Sequence, residues 1–236
     1  MKLSHPSPWQ QSLAAAKANL LPGLALQSLA AALVFAYYFS PRAHEIFEAV
    51  AVIKSQWGWR FSMVSTGIFG GVIPYLYLRL HPRSRSATPF THGLFYVLFW
   101  TYKGLEVDTL YRFQAWLFGA DHAASTLVCK IAFDQFVYNP LWSAPMSLFF
   151  FHWKENGFSL LSLRRTSWPA YWRSALPAGL MSTWSVWVPT VAIIYSLPSS
   201  LQVPLFNVVL CFWVLLLTTL TRRPREAEHG YASSPQ

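Results

Sequence analysis

The chain of 236 residues is 54% hydrophobic and 17% aromatic but only 11% charged, less than half the charged share of about 25% found in an ordinary soluble domain. That shortfall excludes a typical soluble enzyme and points to lipid as the surrounding medium. A net charge of +9 suggests nucleic acid in a soluble protein, but here Lys and Arg gather at the ends of apolar runs, which is the pattern of membrane topology; nucleic acid is not an expected partner.

No linker or low-complexity stretch divides the chain, so one domain is expected over 1–225, followed by a polar tail over 226–236. Cys129 and Cys211 both sit in apolar surroundings and read as small core residues, not as a disulfide or metal site.

A membrane crossing needs about 20 largely apolar residues. The N-terminus carries Lys2 and Lys17 ahead of an apolar run, as a signal peptide would. That run continues into the bulky Tyr37, Tyr38 and Phe39 without a convincing small-residue cleavage pattern, so a retained first span is expected over 18–40. The second, 61–78, is bracketed by Arg60 and Arg79, with Trp57 and Trp59 at one end and Tyr75 and Tyr77 at the other, as interfacial belts require. A later span over about 127–151 includes one acid, Asp134. From Ser174 to Thr221 no residue is charged. A single helix of that length would reach about 70 Å, more than twice the hydrocarbon thickness. It must fold back, and Leu197-Pro198-Ser199-Ser200, with Pro204 beyond, marks the turn.

The segment 89–119 is the ambiguous one, apolar at first and then charged at Lys103, Glu106, Asp108 and Arg112. If it crosses, twelve Lys and Arg fall on the N-terminal side and four on the other; if it does not, the split is eight against ten. The positive-inside rule selects the first arrangement. The expected fold is therefore an all-α, polytopic transmembrane bundle of about six membrane-embedded helices, with both termini on the cytoplasmic or matrix side. No internal repeat points to an inverted-repeat transporter.

Gly67, Gly70 and Gly71 form a small-residue face on the second segment. Such a face lets helix backbones approach closely, and intramolecular packing is favoured over a homodimer seam. In the third segment Lys103 and Glu106 lie one turn apart, and Asp108 and Arg112 form an i,i+4 pair in the favourable order. Two readings stay open: a polar lining for a solute path, or a half-buried amphipathic helix whose charges neutralise one another. Lys130 and Asp134 also lie four apart, followed by Gln135 and Asn139-Pro140, and make a polar stripe on an apolar span. An intramembrane acid is a functional candidate by default, with a structural cap or interhelical bond as the equal alternative. Pro189 removes an amide donor near the Ser185 carbonyl, so a kink is expected there.

Enzyme signals are lacking. The sequence has no HExxH, no GxSxG and no phosphate-cradling glycine loop. Its seven histidines, His5, His44, His81, His92, His122, His152 and His229, have no metal-ligand spacing, so neither metal nor cofactor is expected.

The ordered set Asp134-Gln135, Pro140, Trp168, Trp184, Trp187, Pro189, Pro198 and Trp213, with Arg60 to Gly67 leading to Pro74 and Tyr77, resembles the family of peroxisomal membrane protein twenty-two and the Mpv-seventeen mitochondrial protein. The matches cover about half the chain. The family's first-helix signature is absent, Trp187-Val-Pro189 has an extra residue, and 83–125 is an insertion. The resemblance implies a small multispan protein of a peroxisomal or mitochondrial inner membrane with a pore-like role for small solutes, as some family members have, and the departures point to a divergent branch of an organelle or a bacterial inner membrane. The expectations are a lipid bilayer as partner, a small-solute path lined by Asp134, Gln135 and the charged run of segment three, and association with itself or other membrane proteins. The alternative is a non-conducting scaffold or assembly factor. A lipid-directed enzyme would need Asp121 and His122 to converge with Glu106 and Asp108.

Overall fold

Prolines and glycines set most helix boundaries in the structure, a computed structural model that describes residues 17, 19–80, 89–121 and 123–220, with side chains as far as 215. The tail over 226–236, the basic clusters at 83–85 and 222–225, and His5, His81, His122 and His229 lie outside the described residues.

Helix α1, Leu20–Phe39, carries Pro22 in its first turn, where a missing amide costs nothing. It closes at Ser40, whose amide donates to the Ala36 carbonyl. Pro41 opens α2, Pro41–Trp57, a helix in a stretch that carries Arg42, Glu45, Glu48 and Lys54 and lacks the apolar run of a span. Gly58, at φ 58°, makes the turn that few other residues enter cheaply. Helix α3 then runs Trp59–Leu80, α4 Phe90–Phe118, and α5 through Ala124–Phe133, Asp134–Ser143 and Ala144–Glu155 in succession. The short α6, Leu160–Arg165, is capped by Ser159, whose hydroxyl accepts from the Ser162 amide at 3.3 Å. Helix α7, Trp168–Tyr195, stays helical through Pro177 and Pro189. The chain breaks before Pro198, and α8 follows at Ser199–Leu220. No strand occurs among the described residues.

Three of these helices, α1, α3 and α7, are long and apolar enough to cross a membrane, and Ser199–Leu215 of α8 is a shorter apolar stretch. At 28 residues, α7 reaches about 42 Å, which exceeds a hydrocarbon core of about 30 Å.

Two segments adopt the wider π-helical spacing, and each is coupled to a proline. In α3 this is Gly67–Val72, just ahead of Pro74, where the Ile73 amide donates to the Ile68 carbonyl. In α5 it is Asp134–Ser143, which contains Pro140, and the Ala144 amide donates to the Asn139 carbonyl. A proline cannot serve the carbonyl four residues before it. Widening the register brings an amide one residue further on within reach, and such bulges gather at functional sites.

The described residues form two compact units. The first comprises 1–48 and 110–202, the second 49–109 and 203–236. In the first, α1 packs along α7. Asn19 Nδ2 donates to Ser182 Oγ at 2.5 Å, Gln27 Nε2 to the Val186 carbonyl at 3.4 Å, and the Tyr38 hydroxyl to the Ser196 carbonyl at 2.9 Å. In the second, α3 lies against the first part of α4, with Gly67 facing Thr101, Gly70 facing Trp100 and Leu210, and Gly71 facing the Val97 backbone. Asn207 of α8 accepts from Thr66 Oγ1 and donates to Ser65 Oγ, both at 2.7 Å.

The glycine face is tight enough to test. A Cβ on Gly71 would sit 2.8 Å from Val97 Cα and 2.9 Å from the Tyr96 carbonyl, backbone atoms that cannot rotate away. Gly71→Ala is expected to cost about 1–3 kcal/mol through overpacking. Gly179→Ala, whose Cβ would meet nothing closer than Leu148 at 3.8 Å, is expected to be neutral or stabilising by up to about 1 kcal/mol. Thermal unfolding of both variants in detergent measures the difference.

Candidate functional site: a buried polar network around Asp134

Asp134 opens the π-helical turn of α5 and is 6% exposed. Its carboxylate accepts from the Tyr195 hydroxyl at 2.7 Å and from Gln135 Nε2 at 3.2 Å. Both are neutral donors. Tyr195 ends α7 and is itself 1% exposed, with its ring edge-on to Tyr111 of α4 at 5.3 Å. Gln114, one turn beyond Tyr111, has no exposed surface. It donates to the Lys130 carbonyl at 3.2 Å and also reaches the Tyr195 phenol. Trp184 Nε1 donates to the Gln135 carbonyl at 2.7 Å. All these groups lie in the first unit and form one connected set drawn from α4, α5 and α7.

Three buried polar atoms of this region meet no protein partner: Oε1 of Gln114, Oε1 of Gln135 and Nδ2 of Asn139. Each would cost about 1–3 kcal/mol if left dry. Three such atoms within a few turns mark a place where water or a polar solute belongs.

Lys130 is buried one turn before Asp134, and its charge interacts with the exposed Asp121. Asp121 lies in the loop before α5, where the Ala123 amide donates to it at 2.9 Å. That bond, with help from Thr126 and the Lys130 charge, holds its carboxyl below the usual range.

The charged run of α4 divides between the units. Lys103, Glu106 and Asp108 belong to the second and Arg112 to the first. Lys103 pairs with Glu106 at 2.5 Å, as their spacing expects. Asp108 takes a partner that i,i+4 spacing does not suggest: it forms a buried ion pair with Lys54 of α2 and accepts from Ser62 Oγ at 2.9 Å. Lys54 also donates to the Gly58 carbonyl at 3.2 Å. Arg112 is exposed. Among the described residues no cluster of three or more histidine, cysteine or acid side chains is placed to hold a metal ion.

Asp134, Gln135 and Asn139 therefore come together as the sequence places them. Gln114, Tyr111 and Tyr195 join them from distant parts of the chain, and Lys54 joins Asp108. No local spacing announces these partners; the one available signal is a polar residue in an apolar stretch, which Gln114 satisfies.

The class defined here is an all-α protein with three helices of membrane-crossing length and composition. Comparison with known proteins finds no match to a family model, to a curated protein or to a solved structure.

Removing one partner of a buried pair strands the other charge, a loss of about 3–5 kcal/mol, whereas replacing both by apolar groups is often neutral. Lys54→Met is accordingly expected to destabilise by that amount. The double variant Lys54→Met/Asp108→Leu should recover most of the loss, as a double-mutant cycle of unfolding midpoints will register.

Proposed function

We propose that the chain is a multi-pass integral membrane protein providing a polar path for small solutes, with the Asp134 network at its centre. The observation that carries this reading is the connected set of buried polar side chains in which three amide atoms have no protein partner. Polar and ionisable groups at membrane depth are costly and are kept where they serve a path or a site. The resemblance to the peroxisomal and mitochondrial pore family supports the same reading, since Asp134, Gln135 and Pro140 of its motif coincide with the π-helical turn.

In this reading six helices cross the bilayer: α1, α3, α4, α5, α7 and α8. Both termini lie on the cytoplasmic or matrix side, in a bacterial inner membrane or that of a mitochondrion or peroxisome. The charge distribution supports it, because the six-span arrangement alone places most Lys and Arg on one side.

The topology is tested by single cysteines at Ser86 and Ala120 in a background lacking Cys129 and Cys211. An impermeant reagent is expected to label them from opposite faces of sealed vesicles; labelling from the same face removes α4 as a span. For the path itself, proteoliposomes carrying wild type should release small polar solutes faster than protein-free vesicles. Asp134→Asn should slow that release by about tenfold, equivalent to about 1.4 kcal/mol. Equal silence of wild type and variant across solutes and voltages overturns the pore.

A further inference from the structure

The short helix α6 turns outward a face made of two leucines and two arginines. Leu160, Leu161, Arg164 and Arg165 are all exposed, the leucines to 68% and 55%. Positions four apart lie one above the other on a helix, so each arginine extends the line of a leucine on one side of α6. That face is held in place at both ends. Gly157 and Phe158 turn the chain at φ 64° and 60°, with the Phe158 amide donating to the Trp153 carbonyl at 3.0 Å and its ring edge-on to Trp153 at 5.3 Å. Thr166 Oγ1 donates to the Ser162 carbonyl at 2.9 Å and lies 2.9 Å from His152 Nε2 of α5.

The length of α7 sets the depth of this corner. The helix exceeds the hydrocarbon core by about 12 Å, or about eight residues. Its uncharged stretch begins only at Ser174, so the excess falls on 168–173. There Trp168 stacks on Trp172 at 5.6 Å, and the Tyr171 ring meets Trp168, Trp172 and His152. Amphipathic rings of this kind sit at headgroup level, and α6, which ends at Arg165, shares that level. The charge there is one-sided. Over 156–225 no residue is acidic, and Glu155 is engaged by Lys154 at 2.7 Å. Arg164, Arg165 and Arg173 form no ion pair among the described residues.

We infer that the outward face of α6 binds an anionic phospholipid, its phosphate held by Arg164 and Arg165 and its acyl chains covering Leu160 and Leu161. The inference rests on the preceding reading only in taking the chain to span a bilayer; it does not need the solute path. A guanidinium meets phosphate with two parallel donors. A zwitterionic headgroup would bring a cation as well, and the corner offers no free acid to receive it. The leucines favour lipid over a free anion, because apolar side chains gain by entering the boundary between headgroups and acyl chains.

The test follows the unfolding midpoint of the full chain in neutral detergent on adding phosphatidylglycerol, phosphatidylcholine of the same acyl chains, or inorganic phosphate. A ligand bound only by the folded state raises the midpoint in a saturable manner. Phosphatidylglycerol is expected to do so, and the other two are not. A basic residue near anionic headgroups is worth about fivefold in affinity. Arg164→Gln/Arg165→Gln should therefore weaken the response by about 25-fold, whereas Arg42→Gln, at the exposed start of α2, should leave it unchanged. Should the double variant fail to fold, the single variants carry the test, with about fivefold expected from each. An equal rise with phosphatidylcholine, or none with phosphatidylglycerol, overturns the site. An equal rise with inorganic phosphate replaces the lipid by a free anion, and an equal loss in Arg42→Gln reduces the effect to net charge; both overturn it. Silent proteoliposomes remove the path and leave this site standing. A missing lipid preference, with Ser86 and Ala120 labelled from opposite faces, removes the site and leaves the spans.

Discussion

A buried carboxylate must be met by donors close at hand, and at Asp134 that requirement draws three helices together. The residue is 6% exposed, on a segment whose neighbours Phe133 and Phe136 offer nothing polar. Tyr195 supplies one bond from the end of α7. Its reach is possible only because α7 stays helical through Pro189 to Tyr195 and the chain then turns before Pro198. Gln135 supplies the other from the adjacent position, and neighbours on a regular helix point well apart. The π-helical spacing that begins at Asp134 alters that local geometry. Pro140, which cannot donate an amide in an α-helical register, is the physical cause of the change.

The second unit meets the same demand by opposite means. Asp108 is matched by a full charge, the Lys54 ammonium, with Ser62 as a second donor. A pair of this kind neutralises itself and asks for no further ligand, so it reads as a staple between α2, α3 and α4. Its surroundings agree. Thr66, Asn207 and Ser65 close their own bonds, and the glycine face of α3 leaves no room for a Cβ against α4. The first unit keeps amide atoms without protein partners, while both acids are almost equally buried.

Much of the helix layout is legible from composition. The ends of α1, the aromatic and basic brackets of α3 and the break before Pro198 all follow from apolar run length and from proline chemistry. Helix α2 is not legible in that way, since its residues 41–57 lack the apolar run that identifies a span, and its stability comes from what Lys54 and Ala51 bury. The pairing of Asp108 with Lys54 is equally hidden. Lys54 is 54 positions distant and only tertiary packing brings it near. The polar stripe at Asp134, Gln135 and Asn139 is visible in one dimension. The donors and acceptors that give it meaning, Tyr195 and Gln114, are not.

The two π-helical turns join these observations. Each lies beside a proline, and each carries residues that face a neighbouring helix at close range: glycines in α3, amides and an acid in α5. The wider turn sets extra side chains toward the neighbouring helix, which suits a helix face that must either accept a backbone or present several polar groups at once. In α3 the small side chains convert this into close contact. In α5 the side chains are polar, and the same backbone device carries Asp134, Gln135 and Asn139 as buried groups on one segment. Sequence at the turn, rather than the turn itself, therefore decides whether proline-driven widening yields packing or a place for a ligand.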